Sequence, residues 1–521
     1  MLFVKILKYV VVLIIPLMAA PEWDWYTADM HMHVNGCNNT NTPIPDILQQ
    51  MKTENINIGS ILIWGNPTSL ANDVSRFRGQ EDDPISEPGN IIHWDVEISG
   101  LPGNWHGHVS LLNVAQKNII DETKVKHNYP GQDYLLPNYK YIQDQGGLFG
   151  FQHLMFWGWQ WEPPPNPQPA CCQPREMPMD VTQAHLDFVS TELINKEFIW
   201  LWYSMLQAGF QIPILGDSDL GCIHDTVGYY HAAFPLPKGD TLSYVKFIEA
   251  IKKGRTVARK NNKPPDYLDI RVNEVFMGDT VYIAKGNTTL KVEVDASTIE
   301  SGKTVELVMN SEVIKSETIG SQKQTFSWDV TVEKSSWLAA RIPLTDSTPD
   351  YEAHTSSIFV LMDGCPIRND PTGARNWKTY LDKYYQISVS ENQNGSSSSE
   401  LQEKINIAKA VWEDIALEGE GNKEMTCVEP VTSIQKKGKD TPGATLIEFS
   451  IDHKGLLSAG ELPGGLKRIS IFDIQGKLVS VVQGLSWDGK NIVGQLAGDG
   501  VYFARFEFYR LSHVVRFSLV R

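Results

Sequence analysis

The stretch TADMHMHVNG, residues 27–36, sets Asp29, His31 and His33 at alternating positions where a short apolar run ends. On a strand, successive side chains point to opposite faces, so His31 and His33 share one face. Two imidazoles side by side at a strand end suit a divalent metal. An isolated His-x-His also arises by chance on a surface strand, so the rest of the chain decides the reading.

Outward from this stretch, short apolar runs alternate with helical ones up to about residue 260. NIGSILIWGN (57–66), IIHWDVEIS (91–99), GGLFGFQHL (146–154) and QIPILGDSD (211–219) read as buried strands. PIPDILQQMKTEN (43–55), DVTQAHLDFVSTELI (180–194) and TLSYVKFIEAIKKG (241–254) read as helices. That alternation predicts a parallel α/β layout, in which polar residues at the strand ends form the site. The ends carry chemistry: Glu97 ends one strand, GNWHGHVSLL (103–112) holds His106 and His108 on one face, His153 ends another, and Asp219 ends QIPILGDSD. Imidazole with carboxylate suits zinc, manganese or iron, and a carboxylate that bridges two ions is what a two-metal site needs. Agreement among several strand ends makes chance a poor explanation for the first pair.

The order of these pieces resembles the PHP metallohydrolases, and more narrowly the carbaryl-hydrolase-type CehA/McbA family. The residues that carry the resemblance are HMH (31–33), Glu97, GH (107–108), GGLFGFQH (146–153), GDSD (216–219), AIKKGRTVA (250–258), VNEVFMGDT (272–280), WLAAR (337–341) and AHTSSIFV (353–360). It covers roughly residues 25 to 420 and implies a PHP-type distorted (β/α) barrel over residues 21–265. It implies a metal held by His31, His33, Glu97 and Asp219, and a second held by Glu97, His108 and His153, with Glu97 shared. Many PHP enzymes take a third ion through histidines that this chain lacks: Gly65 and Asn66 follow Trp64, and Leu220 and Gly221 follow Asp219. Two ions are therefore expected. The implied reaction is hydrolysis of an ester, carbamate, amide or phosphoester of a small-molecule substrate, with Glu97, Asp219 and His224 as catalytic candidates. A phosphoesterase, or a non-catalytic surface protein on the same scaffold, are the alternatives.

Other residues admit two readings. His93, His106, His224, His231 and His354 are ordinary structural histidines unless the fold brings them to the cleft; His106 is a candidate cleft residue, and His224 can act on a leaving group. Arg255, in GRT, meets an anionic substrate group or caps its own helix. The segment MFWGWQWEPPPNPQPACCQPREMPM (155–179) packs Trp157, Trp159 and Trp161 beside prolines just after His153. It is an aromatic wall for a ring substrate or a self-packed cover.

The second part of the chain is β-rich. TTLKVEVDAS, KTVELVMN, QTFSWDVTV, SWLAARIPL and SSIFVLMD predict an Ig-like β-sandwich over residues 266–365. A helical segment and linker follow over 366–440; Leu401, Ile405, Ala408, Trp412 and Ile415 form one apolar stripe expected to pack back on the chain. Residues 441–521 resemble the C-terminal sorting domain of the type IX secretion system, or the related FlgD-like β-sandwich, through ISIFDIQGKLV (469–479), WDGKNIVGQLAGDGVYFARF (487–506) and the closing VVRFSLVR. The usual PNP segment is missing near IEFSIDHKG. The resemblance implies secretion machinery as a partner of this domain.

The N-terminus MLFVKILKYVVVLIIPLMAA has Lys5 and Lys8 before an apolar run that ends in Ala19-Ala20, the pattern of a signal peptide over residues 1–20. The run is shorter than a membrane span needs, so a secreted or cell-surface protein without a stable membrane span is expected. The 521 residues carry a formal net charge of −16, which argues against nucleic acid as a partner. Hydrophobic residues make up 42% and charged residues 21%, enough apolar material for real cores. Six cysteines, in an exported chain, permit disulfides whose pairing the spacing leaves open.

Overall fold

A computed structural model describes residues 23–427 apart from 36–41, 67–68, 71–73, 99–105, 116–138, 140–141, 155–171, 196–198, 261–267, 287, 298–301, 321–322, 345–349 and 392–398, together with the strands between 449 and 519. The chain divides into two compact units, residues 1–428 and 429–521. The expected signal peptide, Trp157, Trp159 and Trp161 lie outside the described residues.

The first unit opens with β1 (Trp23–Met32), half-buried at its start and fully buried where it reaches the histidines. Helix α1 (Ile44–Thr53) follows, with Pro at its start and Ile44, Ile47, Leu48 and Met51 buried, the one-sided pattern of an amphipathic helix. Then come β2 (Ile58–Asn66), β3 (Ser69–Leu70), β4 (Ile91–Ile98), β5 (Val109–Leu112), β6 (Leu148–Phe151), α2 (Met177–Asp180), β7 (Phe188–Thr191), α3 (Trp200–Gln207), β8 (Ile214–Gly216), β9 (Tyr230–Pro237), α4 (Tyr244–Lys252) and β10 (Val257–Lys260).

These strands lie in the order β10-β9-β1-β2-β4-β5-β6-β7-β8. The expected parallel layout holds in part. β1, β2 and β4 run parallel, as do β6, β7 and β8, but β5 is antiparallel to both β4 and β6. The connection from β4 to β5 is too short for the dozen or so residues of a parallel crossover, so the chain must turn back. Among the described residues no ladder closes the ring of the expected barrel. β8 approaches β1 only beyond its end, where Leu220 bridges Met32 through His33 N to Leu220 O at 3.0 Å and Leu220 N to His31 O at 3.1 Å. Close approach is built in at Gly216, where a Cβ would meet the His231 carbonyl oxygen at 2.5 Å. The fold is a mixed α/β, sheet-rich structure.

The helix expected over 180–194 is instead a turn that leads into a four-residue strand. Only the short α2 precedes it, and Phe188–Thr191 pairs with β6 and β8. A short buried run of apolar and β-branched residues carries no periodicity that separates helix from strand.

The β-rich part contributes β11 (Leu268–Val272), β12 (Val275–Phe276), β13 (Thr280–Ile283), β14 (Thr288–Ser297), β15 (Thr304–Met309), β16 (Glu312–Thr318), β17 (Lys323–Val332), β18 (Ser336–Pro343), β19 (Tyr351–Thr355) and β20 (Ile358–Met362). One antiparallel sheet, β12-β11-β14-β17, stands by itself. The remaining strands extend the first sheet, because β19 pairs with β10, to give sixteen strands in all. Apolar faces of the two sheets share one core that includes Ile270, Val292, Leu307 and Val360.

Two helices complete the unit, α5 (Pro371–Glu391) and α6 (Ser399–Gly419). The stripe Leu401, Ile405, Ala408, Trp412 and Ile415 is buried. A disulfide joins Cys365 to Cys427 across the pair, and Cys222 is also disulfide-bonded. Among the described residues, no helix is long and apolar enough to cross a membrane.

The second unit holds two antiparallel sheets. β21 (Phe449–Ile451), β22 (Leu457–Ala459) and β25 (Ser486–Trp487) form one; β23 (Leu466–Asp473), β24 (Leu478–Val482), β26 (Gly500–Phe508) and β27 (Ser512–Leu519) form the other, in the order β24-β23-β26-β27.

Candidate metal centre

One rim of the large sheet gathers the polar strand ends. His31 is the penultimate residue of β1 and His33 follows its end; Glu97 is penultimate in β4. β5 runs back against β4 with Val109 opposite Ile98, so His108, just before β5, falls on the same rim. β6 in turn reverses β5, which brings His153 there too, and the parallel β7 and β8 add Glu192 and Asp217 at their ends. Asp219 follows two residues later.

The geometry is tight. His31 Nε2 lies 3.1 Å from His33 Nε2 and 3.2 Å from Asp219 Oδ1. His33 Nε2 lies 3.1 Å from Glu97 Oε2 and 3.3 Å from Asp219 Oδ1. Glu97 Oε1 points the other way, 2.8 Å from His108 Nδ1, and that nitrogen is 3.0 Å from His153 Nε2. Glu97 thus divides its two oxygens between the His31–His33 pair and the His108–His153 pair. Donors that share one ion at about 2.0–2.2 Å sit roughly 3–3.6 Å from one another, which is the spacing of the His31, His33 and Asp219 group. Glu192 Oε1 is 2.8 Å from His153 Nδ1, and Asp217 Oδ1 is 3.3 Å from His31 Nδ1.

Backbone strain accompanies the cluster. His153 and Asp219 both hold left-handed backbone, at φ 55° and 43°, a conformation that non-glycine residues keep only when their surroundings enforce it. Asp29 supplies part of that enforcement. Fully buried, it accepts hydrogen bonds from Ser218 N at 3.1 Å, Ser218 Oγ at 2.5 Å and Gly228 N at 2.7 Å, and so fixes the 217–219 turn.

The donor set fits a cation. Among the described residues Asp217 Oδ2 and Glu192 Oε2 are buried without a hydrogen bond, while Glu97 Oε2, Asp217 Oδ1, Glu192 Oε1 and Asp219 Oδ1, equally buried, face histidine nitrogens at 2.8–3.3 Å. Four carboxylates in one buried place repel one another. Burial, then the charges of Asp217 and Asp219, raise Glu192 well above the carboxylate range. Burial pushes Glu97 up, but hydrogen bonds from His108, His31 and His33 outweigh it and hold it well below that range. Burial likewise opposes ionisation of Asp219, yet the charge of His31 and the His33 bond bring it down to about 2. Burial lowers His33, but the bonds to Asp219 and Glu97 outweigh it and raise it to about 9. His153, lowered to about 3 by burial and the neighbouring His108, is a neutral imidazole. Acids that draw protons onto adjacent histidines form a set in which a cation can replace the protons. Among the described residues, four groups of side chains are close enough to share an ion: His31, Glu97 and His153; His31, His33 and Asp219; His31, Glu192 and Asp217; and His153, Glu192 and Asp219.

No family model matches the chain, and no curated protein matches it. Among solved structures it is similar to PsfC from Pseudomonas syringae PB-5123, at 13% identity and a TM-score of 0.29, over 44% of this chain and 90% of that one. It is also similar to Endonuclease Q in complex with a 27-mer duplex substrate bearing an abasic lesion at the active site, at 14% identity and a TM-score of 0.31, over 44% of this chain and 57% of that one. At these scores the likeness carries no weight for the chemistry of the site.

The residues singled out in the sequence separate cleanly. His31, His33, Glu97, His108, His153 and Asp219 come together. His224 stands beside them, half-buried, with Nε2 at 3.2 Å from the Glu192 carbonyl and its ring stacked on Tyr229. His106 points away, its ring held by Glu176 and by Tyr384 Oη at 2.9 Å. Arg255 is remote. It pairs with Asp279 at 3.1 Å and covers the ring of Trp23, the first residue of β1, which at ~3.3 Å per residue lies about 25 Å along the strand from His31. His93 pairs with Asp82 and stacks on Tyr244, and His231 bonds to the Gly228 carbonyl. Glu192 and Asp217 escaped the sequence reading. Glu192 follows a strand whose residues carry no period that marks them as one, and Asp217 lies two residues before Asp219; the signal for both is their place at the end of a strand.

Proposed function

We propose that the chain is a metal-dependent hydrolase of the PHP type, near the CehA/McbA branch, working with two divalent ions (zinc, manganese or iron) on an ester, carbamate or phosphoester. The observation that supports this most is the division of Glu97 between two histidine pairs, with one buried oxygen each of Glu192 and Asp217 left without a hydrogen bond among the described residues. His31, His33 and Asp219 would hold one ion and His108 and His153 the other, with Glu97 common to both. Bound ions would supply an acidified water and neutralise charge that develops on the substrate oxygen. The chain's own residues do the rest. Asp29 keeps the 217–219 turn in place, and Glu192 and Asp217 orient His153 and His31 from behind, the arrangement that fixes ring and tautomer in metal sites. His224, lowered by burial, is neutral, and with Nε2 donating to the Glu192 carbonyl its Nδ1 is left to accept or pass a proton at the leaving group.

The test is metal content and turnover together. Protein loaded with zinc or manganese should retain about two ions per chain and hydrolyse at least one member of a panel of aryl phosphate, phosphodiester, acetate and carbamate esters. Glu97→Gln should lose at least about a thousandfold in rate, roughly 4 kcal/mol of barrier, while its circular dichroism stays native. Turnover of phosphate esters alone would make it a phosphoesterase. Neither metal nor turnover would leave a binding protein and end the hydrolase reading.

A further inference from the structure

We propose that Tyr384, on the α5–α6 hairpin, is a positioning residue for His108, and that it tunes the affinity of the second ion through His106 and Glu176. This rests on the metal reading above.

His108 is the most accessible histidine of the cluster, at 14% exposure against 0–3% for His31, His33 and His153. It is therefore the member that most needs outside support. That support comes through the backbone. His108 N donates to Cys172 O at 2.9 Å, and Glu176 N donates to His106 O at 3.1 Å, so residues 106–108 are stitched to residues 172–176. Between them Gly107 has φ 93°, and a Cβ there would meet Gln173 O at 2.1 Å. Only glycine lets the two strips lie this close.

The strips are locked from the hairpin side. Tyr384, fully buried, donates its hydroxyl to Glu176 Oε2 at 2.7 Å and lies 2.9 Å from His106 Nδ1, and Glu176 also grips the His106 ring. One hydroxyl thus touches both strips, two residues from His108 on one side and four from Cys172 on the other. A neighbouring bond from α6 to α2, Trp412 Nε1 to Pro178 O at 2.7 Å, holds the same hairpin without touching either strip. Partners behind metal ligands typically set 10–100-fold in affinity, and here the chain of contacts runs to one ion only.

Cobalt(II) titration of the metal-free full chain, followed by visible absorption and calorimetry, separates the two ions. Tyr384→Phe should weaken the second ion by about tenfold or more and leave the first unchanged. Glu176→Gln, which keeps the side-chain volume, should do the same. Trp412→Phe should lower thermal stability yet leave both affinities unchanged. The proposal is overturned if Tyr384→Phe and Glu176→Gln bind both ions as the wild type does, or if all three variants weaken both ions alike. Wild-type protein that takes up no ion would instead overturn the functional reading, and this inference with it.

Discussion

The network around Arg341 and the cluster around Glu97 both bury charge in the same large sheet, yet they are built in opposite ways. Arg341 donates from Nε to Glu306 at 2.6 Å and from Nη1 to Tyr203 Oη at 3.0 Å, and covers the Tyr351 ring at 4.4 Å. Tyr203 Oη lies 2.7 Å from His354 Nε2, and His354 Nδ1 lies 2.8 Å from the Thr355 carbonyl. One cation meets one anion, and each link in the chain has a partner. Around Glu97, four acids face four histidines, and among the described residues Glu192 Oε2 and Asp217 Oδ2 have no hydrogen bond. A closed network of buried charge is structure; an open one is a place prepared for something else. Histidine count alone would not have told them apart, since His354 is as deeply buried as His31.

The strongest way to break this comparison is to open the closed network. Glu306→Leu leaves the Arg341 guanidinium buried without its anion, a change that typically costs about 3 kcal/mol. Urea unfolding should show that loss with metal uptake unaltered. A cost below about 1 kcal/mol would mean the network is too well hydrated to count as closed.

Glu192→Gln sharpens it from the other side, with a smaller effect of opposite sign. Here one of four mutually repelling acids is neutralised. Metal-free protein should become more stable by about 1 kcal/mol, while zinc affinity falls about tenfold or more. Loss of stability in the metal-free state would show that Glu192 is a satisfied structural acid and that the two clusters are not opposites.

Much of the candidate site was legible because donors at strand ends need no knowledge of topology. HMH, the Glu after HWDV and the His after GLFGFQ mark themselves by position, and β5 reversing between β4 and β6 still returned His108 to the rim. The stripe of α6 was equally plain, since a spacing of four and three admits one buried face. What stayed hidden depends on long-range pairing. Phe188–Thr191 is a strand because β6 and β8 flank it, and without that Glu192 could not be counted. The sequence marks the β-rich segment as a separate domain, yet the β10–β19 ladder joins it to the first sheet. His106 shares a spacing with His108 but precedes the strand, so alternation does not govern it, and a tyrosine 278 residues away claims its ring.

The smallest effect concerns acid, and it isolates the closed network from the open one. Burial lowers His354 to about 3, so in the folded chain it is neutral while the unfolded chain takes a proton near 6.5. The sign follows: its contribution is complete above pH 6.5 and is lost as pH falls from there toward 3, at about 1.4 kcal/mol per unit. His231, also lowered to about 3, adds a slope of the same sign in the same window, so the wild type alone does not identify the group responsible. His354→Gln keeps a donor and an acceptor but cannot titrate, whereas His231 and the Glu97 cluster remain in both proteins and cancel. Metal-free wild type and variant, unfolded in urea at pH 7.5 and 5.5, should therefore differ in their pH-dependent loss by about 1.4 kcal/mol, with the variant the flatter. Equal slopes would place a proton on His354 within the fold, and the network around Arg341 would then carry a second cation and no longer be charge-balanced.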